Sequence, residues 1–161
     1  MSDRLTSAFM FRHPAHFVAL GLGAGLAPLA PGTFGTLVAI PIALLLDRYA
    51  GDVGFLAALV ALFILGAWTA HVTARNLGVS DHGGIVIDEV AAFLLVLYFT
   101  GTTPARLAIA FVLFRFFDIV KPPPIRRLDA TMKNGVGVML DDVLAAGYVL
   151  ILFAIGLRLF G

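Results

Sequence analysis

The chain has 161 residues, 60% of them hydrophobic and only 13% charged, with a formal net charge of +1 and no cysteine. A mean hydropathy of +1.00 leaves too little charge to cover a soluble domain of this size, and favours a small polytopic membrane protein over a greasy soluble helical one. The lack of Cys excludes a disulfide framework, a thiolate nucleophile and a Cys-ligated metal, and no basic block or aromatic–basic interleaving suggests nucleic acid.

The length predicts a single domain spanning 1–161. The N-terminal stretch MSDRLTSAFMFRHPAHF carries an acid and no small-residue cleavage site after an apolar core, so no signal peptide is expected. His16 to Ala27 follows, rich in glycine, with Gly21 and Gly25 spaced for close helix contact. A third glycine at Leu26 and a preceding strand, both needed for a dinucleotide loop, are missing. The stretch therefore reads as an interfacial or packing helix.

Five apolar segments come next, at 33–50, 53–74, 86–100, 104–120 and 141–160. A membrane span needs about 20 residues, which the second and fifth meet comfortably. The third, IVIDEVAAFLLVLYF, is short and contains Asp88 and Glu89. It spans only with local thinning, or is re-entrant. Turn chemistry marks the breaks at Pro28, Pro31-Gly32, Gly51-Asp52, Gly83-Gly84, Pro104 and Pro122-Pro123-Pro124. The expected fold class is all-α: a small polytopic helical membrane protein, with about five membrane-embedded helices and an N-terminal interfacial helix.

Charge predicts the orientation. With a cytoplasmic N-terminus and five spans, the inner side holds Arg4, Arg12, Arg75, Arg115, Lys121, Arg126, Arg127 and Lys133. The outer side holds only Arg48, Arg106 and Arg158, in keeping with the positive-inside rule. This topology also brings Pro31-Gly32-Thr33, Asp81–Glu89, Arg115–Lys121 and Asp141-Asp142 to one cytoplasmic boundary. Seven of the ten acids lie between Asp81 and Asp142, all on that side.

Four motifs thus meet at one face. In Asp81-His82-Gly83-Gly84 followed by Asp88-Glu89, the glycines allow a tight turn and the acids open a helix. A helix start favours acids, but it accounts for one, not for this group. On a helix, Arg115, Asp118 and Lys121 share a face at i, i+3 and i+6. Two cations around one acid leave positive charge for an anion, Arg as a fork and Lys as a point charge, whereas a plain ion pair at the membrane edge is the simpler account. Asp141 and Asp142 project about 100° apart, so one is expected to ligate directly and the other through water or a second metal. Ala30-Pro31-Gly32-Thr33-Phe34-Gly35-Thr36 offers backbone N–H groups and two hydroxyls to phosphate, and is also a common helix entry.

Carboxylates from three segments, with no Cys and few His, describe a hard-cation site suited to Mg²⁺. A divalent cation would offset the paired acids at the head of the last apolar segment. Zinc on His13, His16, His71 or His82 is less consistent, and His71 falls inside an apolar span.

At these residues the chain resembles the bacterial phosphatidylglycerophosphatase A family. The matching blocks are GLGAGLAPLAPGTFGTLVAIP, DHGGIVIDEVAAF, FRFFDIVKPPPIRRLD and GVGVMLDDVLAAGY, in family order over roughly residues 15–147. Gly84 and Ala27 stand where that pattern has Ser, and Thr36 replaces a Ser with another hydroxyl. The resemblance implies Mg²⁺-dependent hydrolysis of phosphatidylglycerophosphate to phosphatidylglycerol and phosphate in glycerophospholipid biosynthesis. It places the site on the cytoplasmic side of a multi-pass protein of the bacterial inner membrane. The lipid and the bilayer are the expected partners, with no expectation for oligomeric state.

In the mechanism so expected, Asp88, Glu89, Asp118, Asp141 and Asp142 hold one or two metal ions, while Arg115, Lys121 and Thr33 receive phosphate. Glu89, Asp81 or His82 manages the proton, beside the catalytic Asp88, Asp118 and Asp142. A phospho-aspartate route stays open. A lipid head-group transferase lacks its expected Asp-Gly-x-x-Ala-Arg pattern here. The alternative of another class is a small transporter or ion-channel subunit with an acidic cation site, which would need polar residues along the bilayer depth.

Overall fold

A computed structural model describes residues 5–79, 82–132 and 134–160. Every regular element among the described residues is helical. Two short helices, α1 (Ser7–Met10) and α2 (Pro14–Ala19), lead into a 3-10 segment, Gly21–Leu26. They are followed by α3 (Pro31–Tyr49), α4 (Gly51–Leu77), α5 (Ile87–Thr100), α6 (Pro104–Val120), α7 (Ile125–Thr131) and α8 (Gly135–Phe160).

Three helices are long and apolar enough to cross a membrane: α3, α4 and the Gly135–Leu159 stretch of α8. The five expected spans are therefore not five of one kind. The 14 residues of α5 and the 17 of α6 reach about 21 and 25 Å at 1.5 Å per residue, against about 30 Å of hydrocarbon. The position of α5 explains its composition. It packs against α3, α4, α6 and α8, and it buries Ile87, Asp88, Val90 to Leu94, Val96 and Leu97. A helix that is apolar all round belongs at the centre of a bundle. This one carries its two acids there with it.

The expected helix at 16–27 is divided. Helix α2 stops at Ala19, and the 3-10 segment contains Leu22 at φ 58° and Gly23 at φ 106°, outside helical space. His16 is buried at the junction. Its Nδ1 donates to Phe9 O at 3.0 Å and its Nε2 accepts from Asn76 at 2.8 Å, with the ring stacked on Phe9. It ties α1 and α2 to α4.

Helix α8 begins at Gly135, ahead of the expected 141. Asn134 caps it, its Oδ1 accepting from Gly137 N at 2.9 Å. Gly135 fits because a Cβ there would strike the carbonyl of Ala67 in α4. Asp141 and Asp142 consequently lie nearly two turns inside the helix rather than at its head, and both are buried.

Candidate active site

The N-terminal ends of α3, α5 and α8 meet the C-terminal end of α6, and the charged residues gather where they meet. Asp88 and Glu89 occupy the first turn of α5, where the positive end of the helix dipole favours carboxylates. Asp88 is buried and the Glu89 side chain is 12% exposed. From the last turns of α6, Arg115 reaches Asp118 at 2.5 Å and Glu89 at 3.8 Å. Its Nη1 also donates to Thr36 Oγ1 at 3.4 Å. Thr36 in turn donates to Gly32 O at 2.8 Å.

Helix α6 ends at Lys121, whose backbone is left-handed (φ 46°, ψ 65°). Its Nζ donates to Asp141 Oδ2 at 2.6 Å and lies 3.5 Å from Asp129 of α7. Burial alone would lower the pKa of this ammonium. The hydrogen bond and charge of Asp141, with Asp129 and Asp142 adding, instead hold it above the ordinary lysine value, so it stays charged. The proline turn behind it is pinned by Tyr148, which donates to Pro123 O at 2.6 Å and stacks on Phe117.

The carboxylates form two overlapping groups. Oxygens of Asp88, Asp141 and Asp142 lie within 4.8 Å of one another, and so do oxygens of Glu89, Asp118 and Asp142. Asp142 belongs to both. Asp141 and Asp142 were expected to serve different contacts, 100° apart. Both instead reach the Asp88 group, and both are buried in α8, which packs on α5. Only Asp142 also reaches the Glu89 group.

Hydrogen bonding leaves this cluster incomplete. Among the described residues, Asp88 Oδ1, Glu89 Oε2, Asp142 Oδ2 and Arg115 Nε are buried without a hydrogen-bond partner. A buried, unpaired carboxylate oxygen is strongly disfavoured. Among the described residues, the five carboxylates of the two groups, with Asp129 beside Lys121, face two cations, Arg115 and Lys121, so negative charge is in excess when all are ionised. An all-oxygen donor set with unsatisfied, buried, negatively charged atoms fits a hard divalent cation.

The first turn of α3 closes the site. A Cβ at Gly32 would strike Glu89 Oε1 and meet the Arg115 guanidinium, so the glycine lets the α3 backbone approach with both side chains where they lie. Thr33 was expected to bind phosphate, but the α3 hydroxyl that touches Arg115 is that of Thr36. Gly32 and Thr36 belong to the α3 entry motif read from sequence, whereas Asp129 is absent from the residues expected there. Gly32 and Thr36 have a readable signal, their i, i+4 spacing on one helix face, whereas Asp129 has none. His82 sits in the turn before α5, its Nδ1 accepting from Gly84 N at 3.0 Å, which leaves Nε2 to carry the proton of the neutral ring. Asp81 lies outside the described residues.

The model of the family described as phosphatidylglycerophosphatase A matches residues 17–157. A Haemophilus influenzae protein named phosphatidylglycerophosphatase A is 43% identical over 145 residues, covering 89% of each chain. One of the same name from Escherichia coli K12 is 38% identical over 144 residues, covering 89% of this chain and 83% of its own. A Bacteroides thetaiotaomicron protein, provisionally named a phosphatidylinositol-3-phosphatase, is 40% identical over 145 residues, covering 86% of this chain and 90% of its own. No solved structure matches the chain significantly.

Proposed function

The chain belongs to the phosphatidylglycerophosphatase A family, and from that premise we propose that it removes the terminal phosphate of phosphatidylglycerophosphate. The products are phosphatidylglycerol, a step in glycerophospholipid synthesis, and inorganic phosphate. We infer further that it works with Mg²⁺, as a multi-pass protein of the bacterial inner membrane whose short helices α5 and α6 also cross, with the acid cluster at the cytoplasmic boundary. The observation that carries this reading is the pair of carboxylate groups sharing Asp142, with their unpartnered buried oxygens.

Asp88, Asp141 and Asp142 would hold one cation, and Glu89, Asp118 and Asp142 a second. Mg²⁺, when bound, supplies Lewis acidity and charge to the phosphoryl oxygens. Two divalent cations would offset the local excess of negative charge, which lets a phosphomonoester dianion approach. The Arg115 Nε–H, buried and unpartnered, donates to a phosphoryl oxygen while Nη1 stays on Asp118. Lys121 fixes Asp141 and adds positive charge beside the phosphate. Glu89 Oε2 takes the proton of the attacking water, and Asp81 and His82 are proposed for the leaving oxygen. Gathering of the acids at one end of the bundle does not suit a cation path, which needs polar groups along the membrane depth.

The test is phosphate release by the purified protein from phosphatidylglycerophosphate and from phosphatidylinositol 3-phosphate, with and without Mg²⁺. The reading predicts Mg²⁺-dependent release from the first lipid in preference to the second. Preference for the inositol lipid would move the assignment to the activity named for the Bacteroides relative, and release from neither would end it.

A further inference from the structure

We propose that the apolar groove between the 3-10 segment and the outer face of α3 holds an acyl chain of the substrate lipid while its terminal phosphate lies in the acid cluster. This inference rests on the lipid-phosphatase reading above.

The groove has a volume of about 600 Å³, and Leu22, Ala27, Phe34, Leu37, Val38 and Pro41 line it without any charged side chain. Helix α3 has two opposed rows. Gly32, Gly35, Thr36, Ala39 and Ala43 are buried against the bundle, and Gly32 and Thr36 of that row touch the site. Phe34, Leu37, Val38 and Pro41 follow at i, i+3, i+4 and i+7 on the other side. Site and groove are thus separated by about one helix width, roughly 10 Å, across the N-terminal end of α3.

That offset matches the chemistry of phosphatidylglycerophosphate. A glycerol, a phosphodiester and a second glycerol stand between its reacting phosphate and its acyl esters, so the tails have to lie to one side of the acids. The bridging phosphodiester would cross the α3 N-terminus, the positive end of that helix. From there the groove follows α3, a helix apolar enough to span. Phe34 to Pro41 covers about 10 Å, a large part of one leaflet's share of the ~30 Å hydrocarbon core. Its far wall is tied to the site as well. Val86 N, two residues before Asp88, donates to Ala19 O at 2.9 Å, just ahead of the 3-10 segment.

A tail gains little hydrophobic energy on leaving other tails for this groove. The groove therefore acts by shape, aligning the lipid so that its phosphate arrives in register. Any bilayer lipid could occupy it transiently, so the test has to separate substrate from bulk lipid.

Vesicles of phosphatidylcholine are doped with a non-hydrolysable phosphonate analogue of phosphatidylglycerophosphate carrying a diazirine on one acyl chain and are irradiated with the wild-type protein in Mg²⁺. The proposal expects label concentrated on residues 22–41, displaced by excess unlabelled analogue but not by added phosphatidylcholine. Label spread over the outward faces of α4 and α8, or not displaced by the unlabelled analogue, overturns it. In turnover, Val38→Trp should lower the ratio of kcat/KM for the dipalmitoyl lipid over the dihexanoyl lipid by about tenfold. An unchanged ratio overturns the proposal. Wild-type protein that hydrolyses neither lipid removes the phosphatase reading, and the labelling then decides the groove separately.

Discussion

Replacing Gly32 by Ala isolates the close approach of α3 to the acid cluster. The added methyl meets Glu89 Oε1 and both terminal nitrogens of Arg115. Neither side chain retreats freely, because Arg115 is held by Asp118 at 2.5 Å and Glu89 by Arg115. Restoring ordinary contact requires a shift of about 1 Å in the carboxylate, and a misplacement of that size at reacting groups costs up to about 100-fold in rate. Stability should change little, because the helix preference for Ala over Gly, up to about 1 kcal/mol, works against the crowding at Glu89 and Arg115. Gly147→Ala serves as the control, a helical position where a Cβ meets nothing within 4 Å. Phosphate release and thermal unfolding in detergent, measured on both variants, give the answer. Gly32→Ala should lose roughly 10- to 100-fold in kcat/KM with Tm close to wild type, and Gly147→Ala should keep its rate. A Gly32→Ala protein of wild-type activity would show that the Glu89–Arg115 geometry does not need the α3 backbone where it lies.

Asp118→Asn keeps shape and removes the charge a hard cation needs, so activity should disappear while membrane insertion persists; near-normal turnover at saturating Mg²⁺ would make Asp118 structural. Arg115→Lys keeps the charge but loses the Nε–H proposed to donate to the phosphate, and kcat/KM should fall about tenfold, or ~1.4 kcal/mol of transition-state binding; a change under about twofold would leave Arg115 an ion-pair partner only. Lys121→Met leaves Asp141 without its charged donor and should destabilise the protein by roughly 1–3 kcal/mol, read as a lower Tm that added Mg²⁺ partly restores. A Tm that Mg²⁺ does not move would separate Asp141 from the metal.

Much of the site is legible in the chain because charge is so scarce there. In a chain this apolar, each acid between Asp88 and Asp142 needs a reason to leave water, and alternating helix directions bring their segments to one end. The number of spans is less legible, because hydropathy cannot separate a lipid-facing helix from a central one. Helix α5 is apolar because α3, α4, α6 and α8 surround it, and at 14 residues it need not match the bilayer alone. The start of α8 is less legible, because the apolar segment begins at 141 while the close approach of Ala67 and the Asn134 cap set the helix start at Gly135. Thr36 rather than Thr33 meets Arg115 because α3 is already helical at Pro31, and one residue of phase turns a side chain by about 100°. The pairing of Lys121 with Asp129 depends on how α7 folds back after the prolines, which no local pattern encodes.

The central claim is that two overlapping carboxylate groups, joined at Asp142, form a centre for two divalent cations. Mn²⁺ substituted for Mg²⁺ makes this directly visible by electron paramagnetic resonance, with the bound metal counted at the same time. The wild-type protein is expected to bind two Mn²⁺ with the exchange or dipolar coupling of ions a few ångström apart, and Asp142→Asn to lose both the coupling and most of the affinity. A wild-type protein that binds no Mn²⁺, or an Asp142→Asn variant that binds the same two coupled ions with the same affinity, would contradict the account.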